Sequence, residues 1–228
     1  MLDQMEDMTS PCGVIFDLDG TLIDSIGGIA ATVNRMLLSE GLAAMPQAEV
    51  QSYVGSGLPA LVARVASARG IPVARRPALV ARLEADYTSR PTGEDALYPG
   101  AVAALTALAE TGHPLAICTN KPLRPTHAVL DGTGLRRFFR GVIGGDSLAV
   151  RKPDPAPLIT AWRVLGTARA IYVGDSGVDA RTAEAAALPF VLFTQGYLNA
   201  PRESIREAAA FSDFRDLPGL ISRLCAVS

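Results

Sequence analysis

The chain has 228 residues, 49% of them hydrophobic and 19% charged, which is enough to build one large core and excludes a disordered chain. A net charge of −2 leaves no electrostatic footprint for nucleic acid or an anionic membrane face, and no apolar run approaches the roughly 20 residues of a membrane span. The three cysteines, Cys12, Cys118 and Cys225, are far apart and form no metal-binding pair, as expected of buried thiols in a reducing compartment.

The first ten residues, MLDQMEDMTS, are acidic and lack the basic-then-apolar order of a secretion signal, so they read as a short flexible lead-in to a cytoplasmic protein. Residues 13–18 then read as a strand buried on both faces. The next segment, from about 25 to 98, is too long for one crossover and reads as helices at 26–40, 47–53, 58–69 and 77–90. Ser25 is a candidate N-cap for the first of these and Gly41 its stop. Gly27 and Gly28 suit a hinge better than a helix interior. Further strands are expected near 114–120, 141–145, 170–175 and 189–194, with helices at 100–111, 124–131, 155–165 and 179–187 between them. Alternating helices and near-continuous apolar strands predict an α/β, doubly wound parallel sheet, Rossmann-like. The predicted division is a core of 1–24 plus 98–228 and an inserted helical cap of 25–97.

The polar residues gather at strand ends, where such sheets bind ligands. Asp17 and Asp19, two residues apart, share one side of an extended chain just where the first strand ends. Asp175 and Asp179 follow the strand AIYVG in the same manner. Like charges so close require compensation, and several carboxylates at one edge make a hard oxygen site suited to Mg²⁺. Thr119, Asn120 and Lys121 follow another strand, and Lys152 sits in a loop stiffened by Pro153 and Pro155. A hydroxyl, an amide and a fixed cation opposite a metal suit a phosphoryl group.

DLDGT, CTN, the lysine of RKPDP and GDSGVD, in that order and spacing, resemble the four motifs of the haloacid dehalogenase-like hydrolase superfamily, over roughly residues 13–195. CTNKP, YPG and YVGSGLPALV look most like its phosphoglycolate phosphatase group. The resemblance implies that Asp17 is the nucleophile forming an aspartyl-phosphate, and that Asp19 is the general acid and base. It implies Mg²⁺ held by Asp17, the Asp19 main-chain carbonyl and Asp175, supported by Asp179. Phosphoryl oxygens would be bound by Thr119, Asn120 and Lys152. The cap loop Gly55-Ser56-Gly57 would face the substrate, a small phosphate monoester such as 2-phosphoglycolate. Ala187 stands where the family usually has glycine. By the same resemblance, an acid at Asp19 favours a phosphate ester, whose alkoxide leaving group needs a proton, over a halide substrate. A sugar-phosphate phosphatase or mutase of the same superfamily is the nearer alternative, and a phospho-acceptor signalling module the more distant one.

Overall fold

A computed structural model describes residues 11–90, 93 and 96–227. The lead-in at 1–10 and residues 91, 92, 94 and 95 of the second expected cap joint lie outside them. Six parallel strands form one sheet: β1 (Gly13–Phe16), β2 (Leu115–Cys118), β3 (Phe139–Ile143), β4 (Ala170–Gly174), β5 (Phe190–Phe193) and β6 (Ala209–Phe211). Their order is β3-β2-β1-β4-β5-β6. The chain winds away from β1 in both directions, so the carboxyl ends of β1 and β4 flank the switch point where such sheets hold ligands.

Strand parity decides what each side chain packs against. Val14, Phe16, Leu115, Ile117, Ile171, Val173, Val191 and Phe193 enter one core cluster, on the face covered by α5 (Ala101–Glu110) and α9 (Leu217–Val227). Their neighbours Ile15, Ala116, Cys118, Ala170, Tyr172, Phe190 and Leu192 enter the other, under α7 (Ala156–Leu165) and α8 (Gly177–Ala185). Both faces are covered, which is why these strands read as unbroken apolar runs. The remaining core helix is α6 (Leu123–Gly132), between β2 and β3. Strand β6 and helix α9 lie beyond the elements read from the sequence. AAF carries no β-branched residue, so β6 forms through parallel pairing of Ala209–Phe211 with Val191–Phe193, not through propensity.

Between β1 and β2 lie four helices, α1 (Ile26–Ser39), α2 (Gln47–Gln51), α3 (Leu58–Ala68) and α4 (Arg76–Thr88). Their apolar stripes close on one another around Val33, Leu37, Val50, Val62, Val65 and Leu79, a cluster distinct from the two that sandwich the sheet. Entry and exit are joined where Ile23 pairs with Leu97. Two expectations need correction here. Gly27 and Gly28 lie inside α1, facing open space, because Ile26, Ile29, Ala30 and Val33 carry the helix through them. Ser25 occupies the N-cap position, but its hydroxyl makes no capping bond. The Ile26 N–H instead donates to the Tyr197 hydroxyl at 2.9 Å. Gly41, at φ +73°, ends the helix as expected.

Candidate active site

Asp17 is the first residue past β1, and its N–H still donates to the Val173 carbonyl of β4 at 2.9 Å. Lys152 Nζ lies 3.0 Å from Asp17 Oδ1, an ion pair without hydrogen-bond alignment, so that oxygen is buried with no hydrogen-bond donor. The lysine is held instead by Asp179 Oδ1 at 2.7 Å and by the Tyr172 hydroxyl at 2.8 Å. Tyr172 in turn lies 2.7 Å from Asp179 Oδ1, its proton directed there. The other Asp179 oxygen accepts from the Ser176 hydroxyl at 2.5 Å and its N–H at 3.1 Å, closing a capping box at the start of α8. Asp179 therefore accepts four hydrogen bonds, about all that a carboxylate can take. Burial opposes its ionisation, but Lys152, Ser176 and Tyr172 outweigh that and hold its pKa low. Burial pushes Asp17 up to about 6, with Lys152 opposing the shift and Asp179 adding to it. Lys152, disfavoured as a cation by burial, is kept charged by Asp17 and Asp179.

Asp175 follows β4 and is fixed from two sides. Thr21 Oγ1 donates to its Oδ1 at 2.8 Å and the Tyr197 N–H to its Oδ2 at 2.6 Å. Gly20, at φ +86°, brings the turn after β1 so close that a Cβ would collide with this carboxylate and with the Tyr197 ring. Burial, then the charges of Asp179 and Asp17, drive the Asp175 pKa well above the ordinary carboxylate value. Asp17, Asp175 and Asp179 bring ligand oxygens within 4.8 Å of one another, all buried. Three buried carboxylates face one ammonium, and Asp17 Oδ1 lacks a hydrogen-bond donor. A divalent cation fits that deficit and that all-oxygen donor set. Asp17 and Asp175 have lone pairs to offer it, whereas Asp179 is spent on Lys152, Tyr172 and Ser176.

The carboxylate of Asp19 turns to a different partner. Lys121 Nζ donates to its two oxygens at 3.0 and 3.2 Å and lies 3.8 Å from the centroid of the Tyr87 ring, on α4 of the cap. Asp19 could thus offer a metal its main-chain carbonyl, the contribution the sequence resemblance implies, while its side chain stays with Lys121. Thr119 is buried; its hydroxyl accepts from the Lys121 N–H at 3.2 Å and keeps its own proton to donate. The Asn120 side chain spends its amide N–H groups on the carbonyls of Gly55 and Lys152, each at 3.0 Å. Among the described residues its main-chain N–H has no acceptor, so this group and not the side-chain amide is free for an anion.

A cavity of about 90 Å³ opens between cap and core. Asp17, Asp19, Thr119, Asn120, Lys121 and Asp175 line it from the core. Gly55, Gly57, Glu84 and Tyr87 line it from the cap, with apolar walls from Ile29, Leu58, Leu61 and Leu83. Ser56 is not part of the lining; its hydroxyl accepts from Arg64 at 3.4 Å. Lys152 also lies behind the lining. The structure thus brings Asp17, Asp19, Asp175, Thr119 and Asn120 to one cavity and puts Lys152 behind Asp17, with Asp179 buried beside that lysine and outside the lining. Tyr172, Tyr197 and Tyr87 escape a sequence reading. The only trace of Tyr172 is a phenol inside an otherwise apolar strand. Cys118 is buried in β2, its thiol pushed up to about 12 by burial, which suits packing and not redox chemistry.

A parallel sheet with a helical cap, and acids, a hydroxyl and a buried lysine at its carboxyl edge, defines a capped hydrolase of the haloacid dehalogenase type. The model of the haloacid dehalogenase-like hydrolase family matches residues 14–193, and the chain belongs to that family. It is 46% identical over 216 residues to a phosphoglycolate phosphatase of Cereibacter sphaeroides, covering 94% of this chain and 99% of that one. A phosphoglycolate phosphatase of Rhodobacter capsulatus is 43% identical, covering 91% and 95%. Among solved structures, a predicted phosphoglycolate phosphatase from Haemophilus somnus superposes with a TM-score of 0.84 at 27% identity, over 92% of this chain and 98% of that one. No helix among the described residues is long and apolar enough to cross a membrane.

Proposed function

We propose that this chain is a Mg²⁺-dependent phosphatase that hydrolyses 2-phosphoglycolate or a closely similar small phosphate monoester, residues 25–97 acting as the cap over a core of 1–24 and 98–228. The observation that carries the reading is the pairing of Asp17, backed by Lys152 at 3.0 Å, with Asp19 in one small cavity. The names borne by the relatives supply the substrate.

Asp17 attacks phosphorus through a carboxylate oxygen, and the bond from phosphorus to the leaving oxygen breaks. Asp19 gives its proton to the departing alkoxide, then removes a proton from the water that attacks the aspartyl-phosphate. Phosphate leaves and Asp17 is restored. The Thr119 hydroxyl and Asn120 N–H donate to phosphoryl oxygens, while Lys152 balances the charge of Asp17 as a dianion approaches. Asp17, Asp175 and the Asp19 carbonyl would hold Mg²⁺, whose positive charge would let a phosphate dianion share the cavity with carboxylates. The apolar cap walls keep bulk water from the leaving group.

Phosphate release from a panel of small phosphomonoesters, with Mg²⁺ and with a chelator, tests this. Wild type should turn over 2-phosphoglycolate only with the metal, and Asp17→Asn should lose at least about 10³-fold in kcat, as expected for a removed nucleophile. Near wild-type turnover by Asp17→Asn would overturn the nucleophile. Turnover of hexose phosphates with none of 2-phosphoglycolate would overturn the substrate. Conversion of one sugar phosphate to its isomer would make the protein a mutase.

A further inference from the structure

Among the described residues, four carboxylates line the cavity, those of Asp17, Asp19, Glu84 and Asp175, and one cation does, Lys121. Glu84 has no side-chain partner among the described residues and lies on α4 one turn before Tyr87, so the cap adds negative charge to that wall. Apart from neutral and apolar walls, a negative group of a substrate beyond its phosphate finds only carboxylates in this lining, and Lys121 is the one charged side chain there that attracts it.

Lys121 is also placed for a particular part of the substrate. An ammonium has three N–H donors, and two point at the Asp19 oxygens, 3.0 and 3.2 Å away. Tyr87 covers the group from the cap side at 3.8 Å. Asp19 must lie within about 3 Å of the leaving oxygen to protonate it. The lysine bound to Asp19 is therefore close to whatever the adjoining carbon carries. Lys152, the other buried lysine, stands behind Asp17 and is committed to Asp17 and Asp179.

We infer that Lys121 is the specificity residue for phosphate esters of 2-hydroxy acids: its third N–H, turned to Tyr87 of the cap in the free protein, passes to a carboxylate on the carbon that bears the leaving oxygen, while the other two keep Asp19 in place. Neutral esters of the same length lack that contact and leave the cavity's charge unmatched. The inference rests on the phosphatase reading above and names how that site chooses its substrate.

The test compares 2-phosphoglycolate with ethyl phosphate, equal in chain length and lacking the carboxylate, through the ratio of their kcat/KM values. Wild type should prefer the acid, and Lys121→Met should reduce the ratio about 10- to 100-fold, mainly through KM for the acid. Lys121→Arg should retain part of it. A ratio equal in wild type and Lys121→Met would overturn the inference and leave Lys121 as a support for Asp19 alone. Calorimetric binding of glycolate to the metal-free protein gives a readout independent of turnover and of the phosphatase reading. Wild type should bind glycolate more tightly than ethylene glycol, and Lys121→Arg, which keeps the charge beside Asp19, should bind it more weakly than wild type. Equal binding of glycolate and ethylene glycol by wild type would sink the proposal even if Lys121→Met failed to fold.

Discussion

Tyr197 ties Asp175 to the start of the cap. Its main-chain N–H donates to Asp175 Oδ2 at 2.6 Å, while its hydroxyl donates to Asp24 Oδ1 at 2.8 Å and accepts from the Ile26 N–H at 2.9 Å. Its ring packs into the helical cluster of the cap. One residue thus serves the acid edge of the sheet through its backbone and the N-terminus of α1 through its side chain.

That division makes Tyr197→Phe informative. The ring keeps its packing, but Ile26 loses its good acceptor and retains only Asp24 Oδ1 at 3.4 Å. A loss of about 1–2 kcal/mol is expected, or a fall in Tm of roughly 2–8 °C for a chain of this size. Metal affinity should stay within about twofold, because the bond to Asp175 is to the main chain. Thermal unfolding and calorimetric metal titration check both halves. A large loss of metal affinity would show that the hydroxyl, and not the main chain, positions Asp175.

Asp175 and Asp179 should separate under the same titration. Asp179 is saturated by Lys152, Tyr172 and Ser176. Asp179→Asn should release Lys152 and destabilise the protein by about 3–5 kcal/mol, the usual result of breaking a buried ion pair. Asp175→Asn removes a carboxylate with lone pairs to spare and should cost more metal affinity than Asp179→Asn. The reverse order would make Asp179 a direct ligand.

The acid edge was legible because strand parity and the turn are local properties. GVIFDLDG carries both the apolar alternation that seats β1 in two cores and the glycine that lets the chain turn against Asp175. Lys152 announced itself through its flanking prolines. The pairing of Lys121 with Asp19 was hidden, since 102 residues separate them and only the β2-β1 adjacency brings them together. Tyr172 looked like one more core residue of β4 until its hydroxyl was found between Lys152 and Asp179. The Gly27–Gly28 pair misled because helix propensity is weak beside an apolar stripe that docks on neighbouring helices.

The crowded acids also set the pH response of the metal-free protein. Asp17 is raised to about 6 and Asp175 well above its ordinary value, burial being the first cause of each. A raised carboxylate pKa contributes stability that is complete below the unfolded value near 4 and lost as pH rises through the folded value. Asp179 is shifted down, so its contribution is lost only in stronger acid and does not act in this window. In chelator, Tm should therefore fall between about pH 5.5 and about pH 7.5. A divalent cation should raise Tm more at the upper pH, where the carboxylates are free of protons. A metal-free Tm that was flat or rising over that range would mean that the carboxylates are ionised without cost in the folded state.

Helix α8 closes with the Leu188 N–H on the Ala183 carbonyl at 2.9 Å and the Ala187 N–H on the Glu184 carbonyl at 3.1 Å. This double closure requires a left-handed residue between the helix and Leu188, and Ala187 supplies it at φ +54°. The resemblance places glycine at this position, and the backbone shows why: an L side chain there costs about 1–2 kcal/mol. Ala187 is exposed, so removing its methyl forfeits little burial. Glycine's extra freedom in the unfolded chain returns part of the gain, leaving Ala187→Gly more stable by about 0.5–1 kcal/mol. In Tm that is roughly 1–4 °C upward for a chain of this length. Turnover should not change, since Asp179 lies at the opposite end of the helix. Paired thermal and denaturant unfolding of the two proteins measures it, and an unchanged or lowered stability would mean that the surrounding turn relieves the strain at Ala187 by another route.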